Sequence, residues 1–334
     1  MFNVTDKPII AQQAHETFQD YFVRLFQNKA AYDLSCQEIA NLLNAKAGVS
    51  YGESKWRKEY AAFCRGMNYA KRQLNPDQVH TRILSISDTH VPFQIPIETF
   101  SPYVGLCDVL VLNGDITDCQ AISKFPKAYR VSPMKELIEG RQYVIDLIKY
   151  LSPAKVIVNY GNHDIRFQQY LAKNLDSDLL ELMPSTALEL LIVDGFNHYD
   201  KESGIKTHYE PIKNVFPHIE IEYTHSWFCQ IGDAIFCHPL AYSSSILKTA
   251  DRAVHFFRNE GYSFSTMVMA HTHRVGSYKE GSTMLYEQGC CCDVAKLHYA
   301  DGRLIPSQKE GYIFLCQDKD GKEITEMTKL HCLN

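Results

Sequence analysis

Five short apolar runs, each leading into a residue that can bind a metal, constrain this chain more than any other feature. Ile83-Leu84-Ser85-Ile86-Ser87 runs into Asp88-Thr89-His90, and Val109-Leu110-Val111-Leu112-Asn113 into Gly114-Asp115-Ile116-Thr117-Asp118. Val156-Ile157-Val158-Asn159-Tyr160 runs into Gly161-Asn162-His163-Asp164. Ala234-Ile235-Phe236-Cys237 leads to His238, and Met267-Val268-Met269-Ala270 to His271-Thr272-His273. Such runs, bounded by Gly or polar residues, read as buried strands. Ligands of α/β sheets collect beyond the carboxyl ends of strands. Five strand ends would thus bring Asp88, His90, Asp115, Asn162, His238, His271 and His273 to one rim.

Carboxylate oxygens combined with imidazole nitrogens suit Mn, Fe, Zn or Ni better than Ca or Mg alone. Seven such groups are too many for one tetrahedral ion. They suffice for two ions sharing a carboxylate, and a pair about 3.5–4 Å apart can clamp an in-line phosphoryl displacement. The order Asp-x-His, Gly-Asp-x-x-Asp, Gly-Asn-His-Asp, lone His, His-x-His, spread over residues 82–290, resembles the calcineurin-like metallophosphoesterases. That resemblance implies an α/β fold, a four-layer α/β/β/α sandwich, here preceded by a small all-α domain. It implies that Asp88, His90 and His273 hold a first ion, that Asp115 bridges, and that Asn162, His238 and His271 hold a second. Manganese leads the candidate ions, with Fe, Zn or Ni also suited. A hydroxide activated by the two metals would attack phosphorus. His163 would sit beside the leaving oxygen as a non-ligand catalytic group, paired with Asp118, while Asp164 and Thr272 would stand behind the ligands.

Departures from the family pattern narrow the substrate. The protein Ser/Thr phosphatases of the superfamily carry Arg after the second Asp, and Arg-Gly-Asn-His-Glu. Here Cys119 follows Asp118, Tyr160 precedes Gly161, and Asp164 replaces Glu. Bidentate arginines suit a dianionic monoester, so their loss favours the phosphodiesterase and nuclease branch. His238 stands before Pro239, where the family more often has His-Gly, and Ala270 replaces a Gly. All metal positions are filled, which argues against a degenerate domain.

The chain has 334 residues, 45% hydrophobic and 22% charged, as a soluble globular protein does. The net charge of −5 gives no global pull toward nucleic acid. Residues 46–82 differ, with eight Lys or Arg against three Asp or Glu. No run reaches the ~18 apolar residues of a membrane span, and Asn3, Asp6 and Lys7 break any signal-peptide pattern. Eleven cysteines, an odd number lying mostly in apolar runs, read as reduced thiols of a cytoplasmic protein.

Residues 1–78 are expected to form a helical domain, and 79–334 the phosphoesterase domain. Helices are predicted over 11–31, from a capping box at Ser35 and Glu38 to an exit at Gly48, and over 54–73. Short helix, Gly-containing turn and basic-aromatic helix resemble helix-turn-helix modules of phage and mobile-element proteins. The alternative is a helical domain with a merely solvated basic face. Asn75-Pro76-Asp77 reads as a linker, and Pro133 opens a helix to about 150. Residues 119–130 are expected to overhang the site. Residues 165–192 read as helical, 194–218 as a loop or insertion, 219–223 as a strand and 243–259 as a helix. Hairpins are expected over 278–287 and 311–329. His198, His208, His218 and His225 read as surface groups, and Cys290, Cys291 and Cys292 as small buried residues.

A DNA phosphodiesterase, nuclease or exonuclease, with DNA as partner, no membrane and a homodimer allowed, is the reading these features favour. The alternatives are a phosphatase or cyclic-nucleotide phosphodiesterase acting on a small molecule or phosphoprotein, and a DNA-binding scaffold without turnover.

Overall fold

A computed structural model of the chain describes residues 10–13, 16–73, 79–123, 131–297 and 308–333. It divides into two compact units, Met1–Pro76 and Asp77–Asn334.

The first unit holds three helices, α1 (Phe18–Gln27), α2 (Cys36–Ala47) and α3 (Glu53–Gln73). Thr17 caps α1 and Ser35 caps α2, each in a reciprocal capping box. Gly48 ends α2 in the left-handed conformation that its missing Cβ permits. The first helix is shorter than the predicted 11–31 because Thr17 captures the Asp20 amide and fixes the start there. Tyr21, Phe22, Leu25, Ile39, Leu43 and Trp56 form the core of this unit. On α3, Lys55 pairs with Glu59 and Arg57 with Glu53. The predicted linker, 75–77, lies outside the described residues.

The second unit is built on two large sheets and a separate two-stranded one. The strands are β1 (Thr81–Ile86), β2 (Val109–Asn113), β3 (Lys155–Asn159), β4 (Phe196–Tyr199), β5 (Lys206–Tyr209), β6 (Glu220–Tyr223) and β7 (Phe228–Ile231). They continue with β8 (Ala234–Cys237), β9 (Thr266–Met269), β10 (Val275–Glu280), β11 (Thr283–Gln288), β12 (Gly311–Gln317) and β13 (Lys329–Cys332). One large sheet has the order β13-β12-β1-β2-β3-β6 and the other β10-β11-β9-β8-β7, while β4 pairs with β5 apart from both. In the first, β1, β2, β3 and β6 run parallel and β12 joins antiparallel. In the second, β8, β9 and β11 are parallel.

Strand alternation explains the layers. Side chains two apart share a face. Ile83, Val109, Val111, Ile157, Ile313 and Leu315 of the first sheet therefore meet Ala234, Phe236, Val268 and Tyr286 of the second in one core. Their neighbours Leu84, Leu110, Leu112, Val156 and Val158 point outward, onto α4 (Pro133–Leu151) through Val144, Leu147, Ile148 and Leu151. Ile235, Met267, Met269 and Leu285 point out of the second sheet onto the helix Lys248–Asn259. The result is the four-layer α/β/β/α arrangement. Full burial of a side chain such as Phe236 stabilises it by about 1.5–3 kcal/mol.

Three local expectations are corrected. Residues 194–218 hold an antiparallel hairpin, β4 with β5, and a short helix, Ile212–Val215. Residues 165–192 break into α5 (Arg166–Asn174), Ser177–Leu180 and Ala187–Glu189, because Asp176 and Thr186 cap new starts. The helix expected from 243 begins only at Lys248, since the left-handed Leu247 precludes helical continuity before it.

Candidate metal centre

Each of the seven candidate donors follows a strand of the two sheets. Asp88 and His90 follow β1, Asp115 follows β2, and Asn162 follows β3. His238 follows β8, and His271 and His273 follow β9. All three donor loops of the first sheet and both of the second thus open on the same rim. Asp88, His90, His238 and Asp115 are at most 1% exposed.

The loops turn so sharply that five of these residues, Asp88, His90, Asp115, His271 and His273, have positive φ between 43° and 81°. Non-glycine residues there cost about 1 kcal/mol or more each, and such outliers cluster at functional sites. Backbone bonds fix them: Asp88 N donates to Gly114 O at 3.0 Å, and His90 N to Asp115 O at 3.1 Å. Two glycines allow the close approach. A Cβ on Gly161 would press on Asp115 Oδ1 and stand 2.7 Å from Asp115 N. A Cβ on Gly114 would lie 2.6 Å from His238 Nδ1.

The polar atoms converge in two groups. His90 Nε2 and His273 Nε2 face each other at 3.2 Å, and Asp88 Oδ1 is 3.0 Å from the latter and 3.8 Å from the former. Beside them, His238 Nε2 is 3.3 Å from Asp115 Oδ2 and 3.2 Å from Asn162 Oδ1. One ligand atom each of Asp115, His238 and His271 lies within 4.8 Å of the others. His238 Nδ1 is 2.8 Å from Asn113 O, so one proton sits there and Nε2 is the nitrogen turned toward the group, where a cation would displace its proton. The Pro239 departure therefore leaves this imidazole in place. His271 Nε2 is buried with no hydrogen-bond partner among the described residues. Buried lone pairs aimed at common points, with carboxylates between them, fit divalent transition-metal ions.

The electrostatics agree. Burial opposes ionisation of Asp88 and Asp115 most strongly, yet the imidazoles together outweigh it, His238 with His273 at Asp88 and His238 with His163 at Asp115. Both carboxyls stay below the usual carboxylate range. Burial alone would lower His238, but Asp115 and Asp88 carry it up to about 9. Burial, reinforced by His238, pushes His271 down to about 3 and leaves it neutral.

His163 and Asp118 meet as expected, with His163 Nδ1 3.0 Å from Asp118 Oδ1 and 2.9 Å from Asp118 O. The same carboxylate oxygen is 3.2 Å from His90 Nδ1, close enough for charge pairing but outside hydrogen-bond alignment. Burial opposes the Asp118 charge, and His163 and His90 overcome it, keeping the carboxyl below its ordinary range. Asp164 Oδ2 accepts from Asp115 N at 2.8 Å and Gly161 N at 2.9 Å, clamping two donor loops together. Burial and the nearby Asp115 raise Asp164 to about 7. Thr272 Oγ1 donates to Glu287 at 2.9 Å. His208, His218 and His225 are exposed, and His198 is half-buried.

Arg166 was not singled out by sequence reasoning. Its two terminal nitrogens lie 2.9 Å from the two ring nitrogens of His163, and Nη1 donates to Asp118 O at 3.0 Å. The available signal was its spacing, three residues after His163 at the start of α5. Of the predicted overhang 119–130, residues 124–130 lie outside the described set.

Comparison with known proteins follows this geometry. Residues 6–75 match the YonJ N-terminal domain family. A Bacillus subtilis (strain 168) protein named SPbeta prophage-derived uncharacterized protein YonJ is 32% identical over 62 residues, 19% of this chain. The match spans only 15% of the length of that relative. Solved structures to which this chain is similar include a novel archaeal phosphodiesterase (15% identity, TM-score 0.36, 76% of this chain and 100% of that one). Another is wild-type Vps29 with Zn²⁺ from Entamoeba histolytica (11%, 0.37, 76% and 98%). A third is a metallophosphoesterase from Sphaerobacter thermophilus (13%, 0.34, 76% and 88%). Residues 81–275, more than half of the sequence, match the model of one family, and the chain belongs to it: the calcineurin-like phosphoesterases.

Proposed function

We propose that this protein hydrolyses phosphodiester bonds at a centre of two divalent transition metals, and that DNA is its substrate. The observation that carries the reading is the convergence of seven oxygen and nitrogen donors from five strand ends. Asp88, His90 and His273 would hold one ion, Asn162, His238 and His271 the other, with Asp115 shared. Divalent cations held there supply the charge that makes water nucleophilic near neutral pH and offsets charge building on phosphorus. The chain's own residues do the rest. Asp164 keeps the Asp115 and Gly161 loops in register. Asp118 takes the Nδ1 proton of His163 in a hydrogen bond, so that Nε2, 2.9 Å from Arg166 Nη2, is the nitrogen that would serve a leaving oxygen once substrate draws the guanidinium away.

Cys119 and Tyr160, where the monoester phosphatases carry arginine, support a diester substrate with a single negative charge. The basic residues of 46–82 support DNA, whose phosphates such a helix would neutralise in a salt-dependent way. Eleven free thiols support a reducing, cytoplasmic setting. Among the described residues no helix is long and apolar enough to cross a membrane. A second reading, a phosphomonoesterase, is favoured by one observation, the Arg166 guanidinium beside His163.

The test compares bis-p-nitrophenyl phosphate with p-nitrophenyl phosphate under Mn²⁺, followed by labelled single- and double-stranded DNA. Preference for the diester and metal-dependent DNA cleavage are expected. Turnover of the monoester alone would replace the first reading with the second, and no turnover of any ester under any divalent metal would remove both.

A further inference from the structure

The rim holds one more donor, of a different kind. After β11 the chain runs Gly289-Cys290-Cys291-Cys292-Asp293, and all three cysteines are fully buried. Extended backbone points alternate side chains to opposite faces. Cys291 faces the outer core with Tyr143, and its Sγ donates to Gly311 O at 3.3 Å. Cys290 and Cys292 face the other way, beside Phe93 and Leu297. On that side Cys292 Sγ and one ring nitrogen each of His90 and His273 all lie within 4.8 Å of one another. All three residues are buried. The segment is tied on both flanks to the donor loops. Cys291 N donates to Ser87 O at 2.9 Å, next to Asp88, and Gly289 N to Arg274 O at 2.7 Å, next to His273. The sulfur is therefore held in register with these two imidazoles by backbone, not by side-chain packing alone.

We propose that Cys292 is a thiolate ligand of the cation held by Asp88, His90 and His273. The proposal rests on the metal-centre reading above. On binding, the Sγ–H bond breaks, the Sγ–metal bond forms, and the proton leaves to solvent. The first position then offers two carboxylate oxygens, one of Asp88 and one of the shared Asp115, two imidazole nitrogens and one sulfur. That set selects zinc, iron or cobalt and disfavours magnesium, calcium and manganese. The second position, built on Asp115, Asn162, His238 and His271, offers no sulfur and takes harder ions. The two positions thus differ in kind.

Cobalt(II) tests this, because sulfur-to-cobalt charge transfer absorbs in the near ultraviolet where oxygen and nitrogen ligands do not. Full-length protein is stripped with chelator and loaded with Co²⁺, and metal content and spectrum are recorded together. The expected result is two cobalt ions per chain and a sulfur band. Cys292→Ser keeps the circular dichroism of the parent and loses the band, and its zinc affinity falls at least roughly 10–100-fold, the range that losing a mere supporting partner already causes. Cys290→Ser keeps the band. Two cobalt ions without a sulfur band in the parent overturn the inference and leave the metal centre standing, whatever the variants do. A band lost in Cys290→Ser and kept in Cys292→Ser also overturns it. Failure to bind cobalt at all overturns both.

Discussion

Gly161→Ala isolates the approach of the third donor loop to the second. The added methyl carbon would press on Asp115 Oδ1 and stand 2.7 Å from Asp115 N and 2.8 Å from its Cγ. Ordinary contact begins near 3.4 Å, so roughly 0.7 Å of separation must be found against backbone, and more at the carboxylate. The Asp115 carboxylate cannot swing away freely, since its Oδ1 also accepts His163 N at 2.7 Å. Overpacking of this kind costs about 1–3 kcal/mol of stability. A displacement near 1 Å at a reacting centre costs on the order of 10²-fold in rate. Metal content by mass spectrometry, diester turnover and thermal unfolding would be measured on this variant and on Gly52→Ala. At Gly52 nothing lies within 4 Å of an added Cβ, so that variant serves as the control. The expected variant folds, unfolds a few degrees earlier, and loses metal affinity and turnover together, while the control matches the parent. Parental metal content and turnover in Gly161→Ala would refute the claim that these loops touch through Asp115.

Three further outcomes follow from the same geometry. Asp164→Ala leaves the Asp115 and Gly161 amides buried without an acceptor, at about 1–3 kcal/mol each, and urea unfolding should register a loss of about 2–6 kcal/mol. His163→Ala should keep both metals while turnover falls about 10²–10⁴-fold, and full activity would remove His163 from proton transfer. Burial, reinforced by Asp118, raises the carboxyl of Glu136 to about 8. The folded state therefore keeps a proton that the unfolded chain gives up above its ordinary carboxylate pKa. Stability should fall as pH rises from about 4.5 to 8. Glu136→Gln should flatten that fall and gain a few kcal/mol at pH 8; an unchanged pH profile in urea denaturation would contradict this.

The site was legible because its grammar is local. Asp88, Asp115, Asn162, His238 and His271 each follow within a few residues of a buried run, and strand direction alone carries them to one edge. The sandwich was legible from the same runs, since Val109 and Val111 had to find one partner and Leu110 and Leu112 another. What escaped lacked such a signal. Strands β4 and β5 are two-sided and polar, as Asn197, Lys206 and Thr207 show, so no alternation marked them. The break at Leu247 depends on a backbone angle that its side chain does not advertise. Cys292 reads in the sequence as one of three small buried residues, since three consecutive cysteines cannot share a face. That argument excludes only Cys291, and leaves two thiols on the side of His90 and His273.

Neither group of donors belongs to a single sheet. Asp88 and His90 reach His273 across the interior, and Asp115 and Asn162 reach His238 and His271 the same way. Ions seated there would act as rivets through both leaves of the sandwich. Prying the leaves apart would then require unseating both ions, so chelation should expose the interior to proteases even where no cleavable loop lies near the rim.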